Sequence, residues 1–187
     1  LKTNAFIVEG NALKTDWQTF ENTTTVLGGL FDNESTTQKR TYDYIMGNPP
    51  FVGTKYQTKE QKEDILGVSQ ELKMLDYVTG WYKKAADLIK GTKTECAFVS
   101  TNSITQGEQV APLWKLLNTH INFAYRTFKW ESDSNGMAQV HCVIIGFADF
   151  DRNEKIIYEK ETSTTAKHIN GYLLDAPDVF IESRKTP

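Results

Sequence analysis

Residues 42–51 read Tyr42-Asp43-Tyr44-Ile45-Met46-Gly47-Asn48-Pro49-Pro50-Phe51. The first five residues are typical of a buried β-strand. Gly47 and the two prolines end the strand, because proline donates no backbone hydrogen bond. Ligands of open α/β sheets bind beyond the carboxyl ends of the strands, and residues 48–51 fall at that place. The stretch therefore predicts a strand that leads into a functional loop, and the simplest alternative is a rigid turn.

Helices and strands alternate along the rest of the chain. Residues 58–61 have the spacing of a capping box, which predicts a short helix that ends near Gly67. Apolar residues recur every three or four positions over 71–90, as in a helix that lies on a sheet. A third helix is expected over 112–118, beginning at its proline. The other predicted strands are 6–8, 97–99, 121–128, 140–147 and 156–158.

This order of elements predicts an α/β fold. The strands are apolar enough to be covered on both faces, which indicates a doubly wound sheet. No crossover helix fits between 121–128 and 140–147, so these two strands are expected to pair as an antiparallel hairpin at one edge. With 187 residues the chain has room for one domain. The composition becomes polar after Asp149, so residues 151–187 are interpreted as a strap or linker.

Composition excludes several classes of protein. The hydrophobic share is 39% and the formal net charge is −3, so the chain lacks the basic field of a protein that holds nucleic acid by charge alone. No apolar run is long enough to span a membrane, and the first residues lack the pattern of a signal peptide. Cys96 and Cys142 lie in apolar stretches and are expected to be buried thiols of a reducing compartment. We therefore expect a cytoplasmic location.

Each residue of the Asn48-Pro49-Pro50-Phe51 loop has a chemical role available. The Asn48 side-chain oxygen and the Pro49 carbonyl can be held as two acceptors that point at one spot. That spot suits an amino group with two hydrogens, such as the exocyclic amine of a base. Phe51 would stack on the base, which must first leave the duplex.

With these residues the sequence resembles a known family, the gamma class of DNA N6-adenine methyltransferases. The fused restriction-modification enzymes of types IIG and IIL are the most similar, and the resemblance spans about residues 5–185. The motifs that carry it are Gly10-Asn11-Ala12-Leu13, Tyr42 to Phe51, Leu75-Asp76-Tyr77 and Ser103 to Gln109. The last predicted hairpin, with Phe128–Trp130 and Val140–Phe147, also resembles the family.

The resemblance implies a class I, Rossmann-like methyltransferase sheet, with S-adenosyl-L-methionine as cofactor and double-stranded DNA with a flipped adenine as partner. It implies that Asn48 and Pro49 accept from the target amine N6, and that Phe51 stacks on the adenine. Asn11 would contact the adenine amine of the cofactor, with Ala12 and Leu13 against its ring. Either Phe128 or Trp130 would help to hold the extruded base, and the choice between them stays open.

One departure from the family bears on the extent of the domain. The glycine-rich loop that holds the methionine part of the cofactor, and the acidic residue that binds its ribose, precede the strand at Phe6 in the family and do not occur here. We therefore interpret residues 1–150 as the C-terminal part of a methyltransferase catalytic domain. Residues 151–187 would lead towards a target-recognition domain. In isolation the chain is expected to bind the cofactor poorly and to be inactive.

Several alternatives stay open at this point. The same loop could accept another planar amine, in RNA adenine, cytosine N4 or a glutamine amide. The chain could also be a non-catalytic module for nucleic-acid binding or assembly. The histidines are scattered, so no metal site is expected. Lysines alternate with acidic residues over 55–64, which predicts a solvated helix face. The recognition sequence, an attached nuclease and the oligomeric state are not indicated.

Overall fold

The computed structural model describes residues 7–18, 41–130 and 140–180, which form a mixed α/β fold. The strands are β1 (Tyr44–Gly47), β2 (Glu95–Thr101), β3 (His120–Trp130), β4 (Val140–Ala148), β5 (Lys155–Glu159) and β6 (Thr162–Ala166). The helices are α1 (Lys59–Val68), α2 (Thr79–Ile89) and α3 (Val110–Leu117), with short 3-10 turns between them. The strands form one sheet in the order β1-β2-β4-β3-β5-β6.

The strand directions place the ends of three strands together. β1 runs parallel to β2, with Gly47 opposite Phe98. β4 lies antiparallel between β2 and β3, so β3 runs in the direction of β1 and β2. β5 pairs parallel with β3, and β6 returns antiparallel along β5. The carboxyl ends of β1, β2 and β3 therefore lie at one end of the sheet, where the chain continues into Asn48.

Helices α2 and α3 cover one face of the sheet. Tyr82 of α2 is fully buried, and its ring stacks on Phe147 of β4 with 5.3 Å between centroids. The same ring meets Phe98 of β2 edge-on at 5.2 Å. Its hydroxyl lies 2.7 Å from the Oγ of Ser100, which is also buried. This ring cluster fixes α2 on the two central strands.

The opposite face of the sheet carries exposed apolar side chains. Tyr44 and Met46 of β1 are 66% and 78% exposed. Ile156 and Tyr158 of β5 are also exposed, and together with Phe123 they line a cavity of about 320 Å³. The sequence predicted a buried first strand in a sheet covered on both faces. That expectation is wrong for the described part of the chain, in which the helices cover one face.

The predicted position of the antiparallel hairpin needs correction. β3 and β4 do pair antiparallel, but β4 also pairs with β2, and β3 also pairs with β5. The hairpin therefore lies inside the sheet and not at its edge. The reason is the hairpin of β5 and β6, which occupies the free side of β3. Its second strand is the Thr/Ser-rich run 162–165, whose β-branched threonines favour extended backbone.

The predicted helix over 71–90 is also interrupted. A 3-10 turn covers Gln70–Met74, and Leu75 is extended with φ −108° and ψ 161° before α2 begins at Thr79. In a continuous helix the N–H groups of residues 76 and 77 would donate to the preceding turn. Here the Asp76 N–H donates to the Gln109 side chain, and the Tyr77 N–H donates to the Val52 carbonyl. Tertiary hydrogen bonds therefore replace the helical ones.

Other predicted elements fare differently. The capping box of α1 is confirmed, since the Thr58 side chain accepts from the Gln61 N–H and the Gln61 side chain accepts from the Thr58 N–H. α3 begins two residues before Pro112. Residues 7 and 8 are not in a strand, and Phe6 lies outside the described residues. None of the helices in the described ranges is both long and apolar enough to cross a membrane.

Candidate functional site

The loop after β1 presents the carboxamide of Asn48 to solvent. Asn48 is exposed, whereas Pro49 is buried and Phe51 is half-buried. Within the described ranges, no group hydrogen-bonds the Asn48 side chain or the Pro49 carbonyl. In this part of the chain, two acceptors on adjacent residues are therefore not engaged by the fold. The predicted catalytic residues Asn48, Pro49, Pro50 and Phe51 line none of the three cavities of 320–380 Å³.

The segment after this loop is held by Asp76 and Tyr77. The Thr54 N–H and the Thr54 hydroxyl both donate to the Asp76 Oδ1, at 2.9 and 3.0 Å. The Val52 carbonyl accepts from the Tyr77 N–H at 2.9 Å. These bonds use the two residues at which the predicted helix is interrupted. The interruption of the helix therefore directs the Tyr77 N–H and the Asp76 carboxylate towards the loop.

Asp76 also contacts the loop that follows β2. The Ser103 hydroxyl donates to Asp76 Oδ2 at 2.6 Å, and Thr101 Oγ1 lies 2.8 Å from Ser103 Oγ. The Gln109 side chain accepts from the Asp76 N–H at 3.0 Å. One buried residue thus joins the loops that follow two neighbouring strands, β1 and β2.

The predicted cofactor loop is a compact turn. The Asn11 Oδ1 accepts from the Leu13 N–H at 3.0 Å, and the Asn11 carbonyl accepts from the N–H groups of Lys14 and Thr15 at 2.9 Å. Leu13 is buried, and a Cβ placed on Gly80 would come within 3.1 Å of its methyl group. Glycine at position 80 therefore lets the turn approach α2 closely. The contact of Leu13 with a ligand ring stays a prediction.

Lys84 of α2 holds the same turn from its other side. Its ammonium donates to the carbonyls of Ala12 and Leu13, each at 2.9 Å, and to the carbonyl of Thr15. It also lies 5.2 Å from the centroid of the Trp17 ring, in a cation–π contact. Burial lowers the pKa of Lys84, and the nearby Asp16 opposes that change. The turn is therefore fixed by a charged donor and not only by its own backbone.

A buried carboxylate on α1 links this turn to Tyr77, which also holds the segment after the Asn48 loop. Asp64 Oδ2 accepts from the Asn11 side-chain amide at 2.7 Å and from the Tyr77 hydroxyl at 3.0 Å. Lys14 Nζ lies 2.8 Å from Asp64 Oδ1, an ion pair whose geometry is not that of a hydrogen bond. Burial and the bond to Asp64 raise the pKa of Tyr77 to about 12. Its hydroxyl therefore stays protonated and donates at neutral pH.

The Asp64 cluster makes the stability of the protein depend on pH. Burial acts to raise the pKa of Asp64, but the ion pair with Lys14 and the hydrogen bonds from Asn11 and Tyr77 outweigh it, so the pKa is lowered. The ion pair with Asp64 raises the pKa of Lys14. A lowered carboxyl pKa stabilises above its ordinary value, and a raised ammonium pKa stabilises below its ordinary value. The pair therefore stabilises most between about pH 4 and about pH 10.

We expect the Lys14→Met variant to melt at a lower temperature than the wild type throughout that interval. The difference should shrink as pH falls through the Asp64 pKa or rises through the Lys14 pKa. Melting temperatures from about pH 3 to about pH 11 measure it. Lys59→Met is the matched control, because Lys59 is exposed and lies 3.9 Å from the exposed Glu63. A Lys14→Met deficit that is constant over the whole range would contradict this account.

The two aromatic residues proposed for the extruded base lie on β3. Phe128 is half-buried and Trp130 is 43% exposed, with 6.3 Å between their ring centroids. Phe128 lies opposite Cys142, which in turn lies opposite Thr101 of β2. Both residues are therefore towards the end of the sheet that carries Asn48, and β3 lies three strand spacings, roughly 14 Å, from β1. Their role stays a prediction, as does the choice between them.

The sequence did not assign roles to three residues that hold the site. Asp64 falls in the run predicted to be a solvated helix face, but its side chain is 2% exposed. The sequence marks Asp76 only as part of a motif and Lys84 only as part of a helix. A signal existed for Lys84, because it lies three residues after Trp81 and four before Leu88 of the apolar stripe, on the same side of α2.

Comparisons with known proteins identify relatives of this chain. A family model described as MmeI, DNA-methyltransferase domain, matches residues 1–159. DNA methyltransferase A of Bacillus subtilis (strain 168) is 41% identical over 151 residues, which are 77% of this chain and 17% of that protein. A solved structure of the Type IIL restriction-modification enzyme MmeI in complex with DNA is 51% identical, with a TM-score of 0.72.

The match to that structure covers 77% of this chain and 21% of the solved chain. The chain therefore spans about a fifth of the length of these two relatives. The predicted resemblance to type IIL restriction-modification enzymes is confirmed. By its sequence and by its fold, this chain belongs to the family of MmeI DNA-methyltransferase domains.

Proposed function

We propose that this chain is the catalytic-loop part of a class I, Rossmann-like methyltransferase, and that the parent enzyme methylates adenine N6 in double-stranded DNA. The parent enzyme is the longer protein that we propose contains this chain. S-adenosyl-L-methionine is the proposed cofactor, and the cytoplasm is the proposed location. The observation that carries the proposal is the exposed carboxamide of Asn48 beside the Pro49 carbonyl, neither of which has a hydrogen-bond partner in the described part of the chain.

The two acceptors act on the amino group of the target base. An exocyclic amine is a poor nucleophile because its lone pair is delocalised into the ring. When Asn48 Oδ1 and the Pro49 carbonyl accept its two hydrogens, the nitrogen is drawn towards a tetrahedral geometry and its lone pair becomes available. Neither acceptor must first break a bond within the described part of the chain. The site is therefore preorganised for an amine.

The turn at Asn11 fits the adenine end of the proposed cofactor. The Asn11 Oδ1 keeps one lone pair after accepting from Leu13, and the Ala12 N–H has no partner within the described ranges. An acceptor beside a donor complements the amino group and ring nitrogen of an adenine edge. Ala12 also lines a cavity of about 350 Å³ with Trp17 and Met46, which can contact the ring. When bound, the cofactor supplies a methyl group on a sulfonium sulfur.

The proposed substrate is an adenine that has left the DNA duplex. A paired base cannot present its amine to Asn48, so the base must be extruded, at a cost of a few kcal/mol. Phe51 follows the two prolines and is half-buried, so part of its ring is available to stack. Such a contact is worth about 1–3 kcal/mol. The aromatic pair at the end of β3 is proposed to hold the base on its other side.

Analysis of the methylated product tests this proposal. The parent enzyme is incubated with duplex DNA and cofactor labelled on the methyl group, and the DNA is then digested to nucleosides. We expect the label in N6-methyl-2′-deoxyadenosine. Label in N4-methyl-2′-deoxycytidine, or transfer only to RNA or to a glutamine amide, would replace the proposed substrate while keeping the chemistry of the loop. A parent enzyme that binds DNA but transfers no methyl group would favour the non-catalytic alternative.

A further inference from the structure

We propose that Asp76 is a positioning residue for methyl transfer, which holds the Asn48-Pro49-Pro50-Phe51 loop in its reactive geometry. This inference rests on the proposed function. Asp76 does not contact the reacting atoms in this account. It acts through Thr54, whose N–H and hydroxyl both donate to its Oδ1.

Asp76 is buried and surrounded by neutral hydrogen-bond donors. The residue is 7% exposed, and its two carboxylate oxygens accept three hydrogen bonds, two from Thr54 and one from Ser103. No cation pairs with it within the described ranges. A buried charge that has only neutral donors becomes costly in free energy if any of those donors moves away. Its donors are therefore strongly constrained in position. The carboxylate therefore fixes Thr54 and Ser103 relative to each other.

The Asn48-Pro49-Pro50-Phe51 loop lies between two fixed positions of the chain. Gly47 pairs with Phe98 in the sheet, which fixes the chain just before Asn48. Thr54 on Asp76 fixes the chain three residues after Phe51. The reactive loop is thus a short segment clamped at both ends. Loss of the Asp76 side chain would leave the backbone bond between the Tyr77 N–H and the Val52 carbonyl to hold this end of the loop less rigidly. Small displacements of aligned groups such as the two acceptors reduce rates strongly.

The side chains of Asp76 and its neighbour Tyr77 contact different parts of the site. The Tyr77 N–H also holds the loop, through the Val52 carbonyl, but the Tyr77 hydroxyl points the other way, to Asp64 and the turn at Asn11. The Asp76 side chain is directed to the loops after β1 and β2. Substitution of the Asp76 side chain should therefore change the catalytic step and leave the Asn11 turn in place.

The test uses the parent enzyme and measures steady-state methyl transfer and melting temperature. We expect Asp76→Ala to lower kcat by about 10-fold or more, with little change in the KM values for DNA and cofactor. Asp76→Asn should recover most of the rate, because its Oδ1 can still accept from Thr54 and its amide can donate to the Ser103 hydroxyl. Asp87→Asn is the matched control, since Asp87 is an exposed aspartate on α2.

Two further variants keep the inference testable if Asp76→Ala does not fold. Thr54→Val and Ser103→Ala each remove one hydroxyl donor to Asp76, and each should lower kcat by about 3- to 10-fold. An unchanged kcat in folded Asp76→Ala, or in both hydroxyl variants, would overturn the inference. So would an Asp76→Asn variant as slow as Asp76→Ala. A wild-type parent enzyme that does not methylate adenine would refute the proposed function instead.

Discussion

Replacement of Asn48 by alanine in the parent enzyme is expected to lower the rate of methyl transfer by about 100- to 1,000-fold. The reason is geometric. The Asn48 side chain is exposed, and within the described ranges nothing competes for its oxygen, so its removal takes away one of two acceptors for the target amine. The remaining Pro49 carbonyl cannot draw the nitrogen out of the plane of the ring alone.

DNA binding and melting temperature should stay close to those of the wild type in Asn48→Ala, because Asn48 is exposed and its side chain has no hydrogen-bond partner within the described ranges. Single-turnover rates with labelled cofactor measure the chemistry, and gel shift measures DNA binding. Asn153→Ala is the matched control, since Asn153 is also exposed and lies on the turn before β5. Methylation at the wild-type rate by Asn48→Ala would remove Asn48 from the mechanism.

The largest effect on stability is expected at Tyr82. Tyr82→Ala should destabilise the domain by about 3–5 kcal/mol, the range typical of a large aromatic side chain removed from a core. The ring is fully buried between Phe98 and Phe147, so its removal opens a cavity beneath α2. Since α2 carries Lys84 and Gly80, the turn at Asn11 loses its support at the same time.

Two matched variants separate the contributions of this side chain. Tyr82→Phe keeps the ring and removes only the hydroxyl, which leaves the buried Ser100 Oγ without its 2.7 Å contact and should cost about 1–3 kcal/mol. Tyr44→Ala removes an exposed tyrosine and should change stability by about 0.5 kcal/mol or less. Urea unfolding, monitored by circular dichroism, measures the stability of each variant and gives their order. Equal midpoints for Tyr82→Ala and Tyr44→Ala would show that the ring cluster does not stabilise the fold.

Local patterns predicted most of the regular elements. Two consecutive prolines after an apolar run located the end of β1, and Thr58 with Gln61 located the start of α1. These signals depend on a few neighbouring residues, so they do not depend on how the rest of the chain folds. The strand order was harder to predict, because the pairing of β5 with β3 depends on contacts between residues far apart in the chain.

The supporting residues of the site show the limit of sequence patterns more clearly. Asp64 lies among exposed charges on α1, and only the arrival of Asn11, Lys14 and Tyr77 from other segments makes it a buried anchor. The interruption before α2 was not predicted for the same reason. Helical periodicity continues through Leu75, and the partners that replace the helical hydrogen bonds, Val52 and Gln109, are distant in sequence.

The exposed apolar face of the sheet has a practical consequence for protein production. A contiguous apolar surface is exposed to water at Tyr44, Met46, Ile156 and Tyr158. Surfaces of this kind promote self-association. Recombinant material limited to these 187 residues would therefore gain colloidal stability from polar replacements at those positions. Because successive strand residues point to opposite sides, such replacements would leave the helix-covered core intact.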